Sequence, residues 1–518
     1  MKTYLILFMT GLFCSVVFAQ APCIEWQKTL GGTEFDSARS ILQTPDGGYI
    51  VAGSSISNNG DVSGNHGGSD VWVVKLSSLG DIIWQKSLGG SGGDYATSIQ
   101  LTTDEGYIVA GSSSSTNGDI SGNHGDSDFW VVKLSPVGNI VWQKSLGGTG
   151  YDYATSIQQT SDDGYIVAGI SMSNNGDASG NHGSQDYWVV KLSSLGDIVW
   201  QKSLGGTNGD YATSIQQTSD HGYIVAGGSD SNNGDASGNH GSYDFWVVKL
   251  SSEGDIVWQK SLGGTDYDNA NSIQQTSDGE YIVVGQSMSN NGDVSINHGS
   301  YDFWVVKLSS LGDIVWKKCL GGTNADYANS IQQTTNGEYI VAGRSYSNDG
   351  DIVSGHHEYY DFWVILLNSS GTILAQKSLG GSGGDDVAYS VQQTTDGMYV
   401  IAGGTSSNDG DVSGNHGNED FWVVKLNQEF LLSTNEIQIQ PNISMLPNPS
   451  SNYITFQDDD KSNNNFKYII VDASGKVAKS GHSKFNEKIN IQSLTNGNYI
   501  IQIEIENGEK KTEKLIKN

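Results

Sequence analysis

The residues best placed to do chemistry lie in a polar loop that recurs along the chain. Its first copy, residues 59–70, has oxygen-bearing side chains at positions one, three, five and twelve, with Gly64 at position six. This spacing matches a calcium loop, in which alternate side chains converge on one ion and the glycine permits a sharp turn. The candidate calcium ligands in the five copies that keep the pattern are Asn59, Asp61, Ser63, Asp70, Asn117, Asp119, Ser121, Asp128, Asn175, Asp177, Ser179, Asp186, Asn233, Asp235, Ser237, Asp244, Asp409, Asp411, Ser413 and Asp420.

The same loops have a second interpretation that needs no ion. Asn, Asp, Ser and Gly are also the residues with which a long loop satisfies its own backbone. Most copies offer two carboxylates and lack a bidentate Glu, so any calcium site would be weak, with a dissociation constant on the order of 10⁻⁴–10⁻³ M. Two other copies degrade the pattern, since Ile296 replaces the glycine in one and the copy ending at Asp361 has an extra residue. We favour plain loop architecture and keep calcium as the alternative.

A further acid and a histidine recur with each loop. The acids precede the first strand of each repeat, at Asp36, Asp94, Asp152, Asp210, Asp268, Asp326 and Asp385. Cations would ease the repulsion among so many carboxylates, which argues modestly for calcium. The histidines are His66, His124, His182, His240, His298, His356 or His357, and His416. A transition metal needs several ligands close together, so we expect the histidines to brace their loops by hydrogen bonds.

The sequence gives little support for catalysis. It contains no His-Glu-x-x-His pair, and Gly-x-Ser-x-Gly occurs only as Gly-Gly-Ser-Gly-Gly at 89–93 and 380–384, in the polar connections between repeats. One repeat departs from the others, with Arg344 in place of a small residue, His-His-Glu-Tyr-Tyr at 356–360, Leu366 in place of Lys and Ala375 in place of Trp. An asymmetric pocket would be sought there first, although drift in a late repeat explains the same changes. Enzymatic activity is therefore undecided, and a non-enzymatic role is preferred.

The elements that position these loops are repeats of about 58 residues, marked by Trp26, Trp84 and their successors. Each repeat reads as four short strands without helical periodicity, and strands three and four are apolar on both faces. A sheet packed on both faces needs a neighbour on each side, and radial stacking of such sheets makes a β-propeller. The array begins with a lone fourth strand at residues 24–30 and ends without one. We therefore predict seven blades, closed by pairing of the two ends, with the long loops sharing one face.

The charge of the chain limits the classes of partner that it can bind. The formal charge is −30, and outside two repeated lysine positions the propeller region contains only Arg39, Lys317 and Arg344 as basic residues. Without a basic stripe, nucleic acid and anionic membranes are not expected partners. Residues 1–19 read as an export signal, and no later stretch is apolar for long enough to span a bilayer. Cys23 and Cys319 lie in units two apart, so we expect free thiols.

The tail carries an ordered set of motifs. They are Met-Leu-Pro-Asn-Pro at 445–449, Ile-Val-Asp-Ala-Ser-Gly-Lys at 470–476, Leu-Thr-Asn-Gly-Asn-Tyr at 494–499 and Lys-Leu-Ile-Lys at 514–517. Together they resemble the C-terminal sorting domain of type IX secretion cargo from Bacteroidetes-type bacteria. The resemblance implies recognition by the type IX machinery and a final location outside the cell, either released or attached to its surface. The repeats also resemble uncharacterised propellers of Bacteroidetes, which implies no activity.

The sequence thus predicts an all-β chain with four parts. These are a signal peptide (1–19), a seven-bladed β-propeller (20–427), a linker (428–440) and a small β-sandwich sorting domain (441–518). We expect a monomer that acts as an adhesion or binding protein for a glycan or protein ligand, with calcium as the one candidate cofactor. The alternative is a secreted polysaccharide-active enzyme with its site near blade six.

Overall fold

Segments rich in β-branched and aromatic residues form strands wherever the chain is described by the computed structural model. These regions are residues 23–352, 355–427, 443–446, 449–458, 465–472, 476–505 and 510–518, which contain strands and no helix. The predicted signal peptide and linker lie outside them. The chain divides between Ser433 and Thr434 into two compact units.

Seven four-stranded antiparallel sheets form the repeats, and each sheet is one blade with strands a to d. Blade one is β2 (Asp36–Gln43), β3 (Tyr49–Ser55), β4 (Asp70–Leu76) and β5 (Ile82–Leu88). Blade two is β6 (Asp94–Leu101), β7 (Tyr107–Ser113), β8 (Asp128–Leu134) and β9 (Ile140–Leu146). Blade three is β10 (Asp152–Gln159), β11 (Tyr165–Ser171), β12 (Asp186–Leu192) and β13 (Ile198–Leu204). Blade four is β14 (Asp210–Gln217), β15 (Tyr223–Ser229), β16 (Asp244–Leu250) and β17 (Ile256–Leu262).

The remaining blades keep the same lengths. Blade five is β18 (Asp268–Gln275), β19 (Tyr281–Ser287), β20 (Asp302–Leu308) and β21 (Ile314–Leu320). Blade six is β22 (Asp326–Gln333), β23 (Tyr339–Ser345), β24 (Asp361–Leu367) and β25 (Ile373–Leu379). Blade seven is β26 (Asp386–Gln393), β27 (Tyr399–Thr405), β28 (Asp420–Leu426) and, as its strand d, β1 (Ile24–Leu30). The predicted seven-bladed β-propeller is confirmed.

The ring is closed by pairing between the two ends of the array. Strand β1 runs antiparallel to β28, with Leu30 opposite Phe421. The amide of Asn427 donates to the carbonyl of Cys23 at 2.7 Å, as the amide of Ser77 does to the carbonyl of Asp81 at 2.8 Å across the complete turn of blade one. The chain ends therefore interrupt one c–d turn, and the predicted closure by the N-terminal strand is confirmed.

Strand c carries the core between blades. Trp246 is fully buried, its ring centroid lies 4.6 Å from that of Tyr187 in the preceding blade, and its Nε1 donates to Gln259 Oε1 at 2.8 Å. Equivalent contacts recur around the ring, and each large apolar side chain that is fully buried contributes roughly 1.5–3 kcal/mol. Cys23 and Cys319 are free thiols, as expected. The propeller is stabilised by the area buried between its blades.

Tryptophans of strand d are held by the next blade. Trp84 packs edge-on against Tyr107, with ring centroids 6.0 Å apart, and lies beneath the c–d turn of blade two. In that turn Gly138 has a φ of 77°, and a Cβ there would lie 2.8 Å from Cζ3 of Trp84. Both the left-handed backbone and the close approach require glycine at this position. Each d-strand tryptophan thus depends on a complete turn in its neighbour.

This dependence bears on two of the unusual residues of blade six. Its neighbour, blade seven, has the interrupted turn, so a tryptophan at Ala375 would lack the glycine that covers it elsewhere. Ala375 pairs instead with Leu366, and both are buried. Leu366 replaces the lysine that binds an aspartate in other blades, and Asn336 replaces that aspartate. The interrupted neighbouring turn gives Ala375 and Leu366 a structural reason beside drift in a late repeat, which stays the other explanation.

Strand a of every blade lines the axis of the ring. It surrounds a cavity of about 220 Å³. Each blade donates a backbone amide to a strand-a serine of the preceding blade, as Ile99 N does to Ser40 Oγ at 3.3 Å. The bond from Ile41 N to Ser390 Oγ at 3.2 Å completes the circle. Residues at the ends of strand a therefore lie at the mouths of the axial cavity.

The C-terminal unit contains two sheets. One has β29 (Ile443–Leu446), β30 (Tyr453–Asp458) and β33 (Ile489–Asn490), and the other has β31 (Asn465–Asp472), β32 (Val477–Lys484), β34 (Gly497–Ile505) and β35 (Lys510–Lys517). Buried residues of both sheets, among them Ile454, Phe466 and Ile501, form one core. The unit is a small β-sandwich, as the sequence predicted.

Candidate binding face

The long loops lie at one end of the propeller, where strands a and c begin. In blade one the amide of Asp61 donates to the carbonyl of Gly31 at 2.8 Å, and the amide of Thr33 donates to Asn59 Oδ1 at 2.9 Å. The b–c loop is therefore bound to the preceding d–a connection. We call this end of the propeller the loop face, and its prediction from strand direction is confirmed.

The candidate calcium ligands all accept or donate hydrogen bonds within the protein. Asn59 Oδ1 accepts from Thr33 N, as described above. Asp61 Oδ2 accepts from Gly31 N at 3.3 Å, and Ser63 Oγ accepts from Gln85 Nε2 at 2.5 Å. Asp70 Oδ2 accepts from the amide of His66 at 3.0 Å. The same partners recur in the other four copies. Within the described regions no three His, Cys, Asp or Glu side chains are grouped to hold a metal. The calcium loops stay a prediction.

Blade five shows how firmly the loop conformation is imposed. Gly64 of blade one has a φ of 87°, and Ile296, which replaces the equivalent glycine, has a φ of 66°. A β-branched residue rarely adopts this left-handed conformation. The hydrogen bonds of the loop therefore hold the backbone in place even where the side chain opposes it.

The recurring histidines brace the loops, as expected. His66 Nδ1 lies 2.7 Å from Asp70 Oδ2, and the aspartate is fully buried at the start of strand c. Burial raises the pKa of Asp70. It raises the pKa of Asp244 to about 6, where the neighbouring His240 partly offsets the effect. One histidine per blade thus serves one loop.

The acids ahead of strand a have a similar structural role. Asp36 is fully buried, and its Oδ2 accepts from Gly32 N at 2.7 Å and from Ser57 Oγ at 2.9 Å. The equivalent residue of blade seven is Asp386 and not Asp385, because that connection has one extra residue. Burial raises the pKa of Asp386 to about 7. Two of the three acids per blade are therefore internal, and the loop face is less negative than its composition implies.

What distinguishes the loop face is a run of tyrosines across blades four to six, which we call the tyrosine arc. Its members lie at the loop-face ends of strands a, b and c. They are Tyr211, Tyr243, Tyr267, Tyr301, Tyr327, Tyr360 and Tyr346. Because strand a lines the axis, the arc follows the mouth of the axial cavity.

Neighbouring rings of the arc are in contact along its whole length. The successive centroid distances, in the order given above, are 5.2, 5.4, 6.0, 4.9, 6.0 and 5.2 Å. The hydroxyls of Tyr211 and Tyr267 share a hydrogen bond. Tyr346 is 40% exposed, whereas the other six rings are partly buried. The arc is therefore a continuous aromatic surface with hydroxyl groups along it.

Blade six adds charged groups to the end of the arc. The guanidinium carbon of Arg344 lies 4.6 Å from the ring centroid of Tyr327 and 4.7 Å from that of Tyr360. The ring of His356 lies 6.0 Å from that of Tyr346, and its Nδ1 is 3.4 Å from Asp361 Oδ2. Burial raises the pKa of Tyr327 to about 12, so its hydroxyl is neutral at physiological pH. Arg344 and the loop at 356–360 therefore belong to the loop face, unlike Leu366 and Ala375.

The other blades do not continue the arc. Asn269 of blade five and Val387 of blade seven occupy the position that holds Tyr211 and Tyr327 in their blades. Blade two has Tyr95 there, which is 47% exposed, and blade three has Tyr153, whose ring stacks on that of Tyr151 with centroids 6.0 Å apart. Among the described residues neither ring contacts a ring of the arc. The loop face is consequently asymmetric, although the core beneath it repeats.

Sequence reasoning missed the arc because its tyrosines occupy several different positions of the repeat. No single position of the repeat contains all the members of the arc. The usable signal was that residues just outside strand ends vary from blade to blade while core positions do not. Only the fold shows that these variable positions adjoin one another.

Comparison with known proteins identifies the tail. Residues 444–518 match the family described as a secretion system C-terminal sorting domain. The protein is exported by type IX secretion. Its destination is the cell surface or the extracellular space, and the machinery of that system is its partner during export. No helix in the described part of the chain is long and apolar enough to cross a membrane.

The propeller has more distant relatives. Over 227 residues the chain is 26% identical to Regulatory protein FlaEY of Caulobacter vibrioides, a match that covers 40% of this chain and 23% of that protein. The extracellular domain assigned to a hybrid two-component system of B. thetaiotaomicron is 11% identical, with a TM-score of 0.41, over 96% of this chain and 60% of that one. A fungal alcohol oxidase of the AA5 family, solved with copper, is 13% identical, with a TM-score of 0.40, over 95% of this chain and 100% of that one. Likenesses of this size carry no information about ligand or activity.

Proposed function

We propose that the loop face binds carbohydrate, and that the protein acts outside the cell as a glycan-binding or adhesion protein. The observation that carries the proposal is the tyrosine arc. Sugar rings present apolar C–H faces and polar edges, and aromatic side chains with polar tips are suited to both. Tyrosines also lose little conformational entropy on binding, because each has only two side-chain torsions.

The shape of the arc favours an extended ligand. Seven rings in contact across three blades provide several adjacent subsites, so a polymer with repeating units can bind through many weak contacts. The location outside the cell, delivered by the sorting domain, is where such polymers occur. Calcium is not required by this proposal, and its contribution through the b–c loops stays a prediction.

An enzymatic role near blade six is the second candidate, and we rank it below binding. Asp361 is a buried acid beside His356, and its Oδ2 already accepts a hydrogen bond from the amide of His357 at 2.7 Å. Asp326 accepts from Ser347 Oγ at 2.9 Å. Acids committed to bracing the fold are poor candidates for general acid or base catalysis, since catalysis needs a group free to exchange its proton with the substrate.

The test is glycan binding by the mature protein and two variants. On an array of neutral and acidic polysaccharides, Tyr301→Ala should weaken binding of the best ligand by roughly fivefold, since an aromatic contact is worth about 1 kcal/mol. Tyr95→Ala is the matched control, because Tyr95 lies on the same face outside the arc. Equal effects of the two substitutions, or no binding to any glycan, would refute the proposal.

A further inference from the structure

Arg344 and Arg39 are the only arginines in the sequence. Most lysines of the propeller are paired with aspartate, as Lys133 is with Asp104 at 2.9 Å and Lys144 with Asp197 at 2.8 Å. Neither arginine forms an ion pair or a hydrogen bond to any residue that the structure describes, and each contacts tyrosine instead. Two unpaired guanidinium groups are unexpected in a domain so rich in carboxylates.

The surroundings of Arg344 hold its guanidinium and leave its donors unused. Tyr327 and Tyr360 both lie within cation–π distance of the group. The five N–H bonds of a guanidinium lie in its own plane. Nε is buried without an acceptor, and the two terminal nitrogens, which lack an acceptor among the described residues, are accessible to solvent. A bound ligand could therefore satisfy them.

We infer that Arg344 binds the carboxylate of an acidic sugar, so that the glycan recognised by the tyrosine arc contains uronic acid. The inference rests on the proposed function. A guanidinium matches a carboxylate with two parallel hydrogen bonds, and such charge-assisted pairs are the stronger ones in proteins. Because two tyrosines already restrain Arg344, little side-chain entropy is lost when the pair forms.

The charges around Arg344 set the kind of acidic glycan. Burial raises the pKa of Tyr360, while Arg344 lowers it and Asp385 and Asp326 raise it further, so both carboxylates act at this end of the arc. At physiological salt, charges further away than about 8 Å are largely screened. One cation among nearby acids should accept one carboxylate and disfavour a polymer that carries several sulfates on each sugar. A uronate polymer, with one carboxylate per sugar, fits this pattern better than a polysulfated one.

The experiment compares free acids with their esters. Binding of the mature full-length protein to polygalacturonate and alginate oligosaccharides is measured by calorimetry beside the methyl-esterified forms, which keep the sugar rings and lose the charge. We expect Arg344→Gln to weaken binding of the free acids about tenfold or more and to leave the esters unchanged. Arg344→Lys should give an intermediate loss, because it keeps the charge without the fork. Arg39→Gln is the matched control and should change neither.

Four results would overturn the inference. Equal affinity for acid and ester would refute recognition of a carboxylate, and so would an unchanged affinity in a folded Arg344→Gln variant. In either case the proposed glycan binding by the arc still stands if Tyr301→Ala weakens binding. Tight binding of dextran sulfate that is lost in Arg344→Gln would assign the site to sulfate. Absence of binding to every glycan would refute the proposed function together with the inference.

Discussion

The dependence of strand-d tryptophans on a complete neighbouring turn can be tested by moving the chain ends. Asn427 and Cys23 are already hydrogen-bonded across the interrupted turn of blade seven. A Ser-Leu-Gly link copied from residues 78–80 should therefore join them with the geometry of the other blades. New ends would be opened in the c–d turn of blade two, so that the permuted propeller runs from residue 137 to 427, through the link, and from 23 to 136. It is compared with a propeller fragment of residues 20–433 in the natural order.

The expected magnitude follows from the contact between Trp84 and Gly138. The turn approaches the six-membered ring of the indole, while the contact of that ring with Tyr107 does not involve the turn. An aromatic side chain buries about 150–250 Å², and a turn over one part of the ring covers roughly 50 Å² of it. At about 25 cal/mol per Å² this is roughly 1 kcal/mol. The permuted propeller should lose that contribution at blade two.

A double-mutant comparison isolates the effect. Trp84→Ala and Trp200→Ala are made in the natural and the permuted order, and free energies of unfolding are measured by guanidinium titration. Trp84→Ala should cost about 1 kcal/mol less in the permuted chain, whose turn is open. Trp200→Ala, beneath the intact turn at Gly254, should cost the same in both. An equal cost of Trp84→Ala in both orders would refute the explanation given for Ala375.

Two further predictions concern pH and calcium. Burial raises the pKa of Asp326 to about 6 and that of Asp386 to about 7. The folded chain therefore keeps protons that the unfolded chain releases above about pH 4. As a result, the free energy of unfolding should fall as pH rises from about 4 to 7. Below about pH 4 stability should fall again, because the pKa of lysine-paired acids such as Asp104 is lowered to about 2. Thermal melts at constant ionic strength test this pH dependence. Asp386→Asn should reduce the fall in stability between about pH 4 and 7. A higher melting temperature at pH 8 than at pH 5 would contradict the prediction. Since the loop oxygens are already hydrogen-bonded, millimolar calcium should not shift the melting temperature relative to EDTA, and a rise abolished by Asp61→Ala would instead establish the loops as ion sites.

The architecture was predictable because it depends on patterns that the repeats display directly. Strand length, the alternation of apolar residues on both faces and the lone strand at residues 24–30 each have one physical solution, which is a closed ring of stacked sheets. The motifs of the tail were equally informative, since their order identified the sorting domain before its two sheets were known. The role of the histidines also followed from their spacing of one per loop.

The chemistry of the loop face was less predictable. The acids counted as a surface charge proved to be mostly buried, because the sequence cannot show that Asp36 and Asp70 turn inward to cap backbone amides. In the sequence the unusual residues of blade six form one group, but in the structure they lie in two separate places. Leu366 and Ala375 lie beside the interrupted turn of blade seven, whereas Arg344 and the loop at 356–360 contribute to the loop face.

The sequence by itself determined the repeat, the number of blades, the closure and the route out of the cell. These depend on local hydrophobic patterns and ordered motifs, which can be recognised in the linear sequence without knowing which residues are in contact. Only the tertiary structure decided where a ligand could bind. The seven tyrosines and Arg344 come from different repeat positions, and they meet because blades pack radially and bring the ends of strands that are distant in sequence to the mouth of one axial cavity.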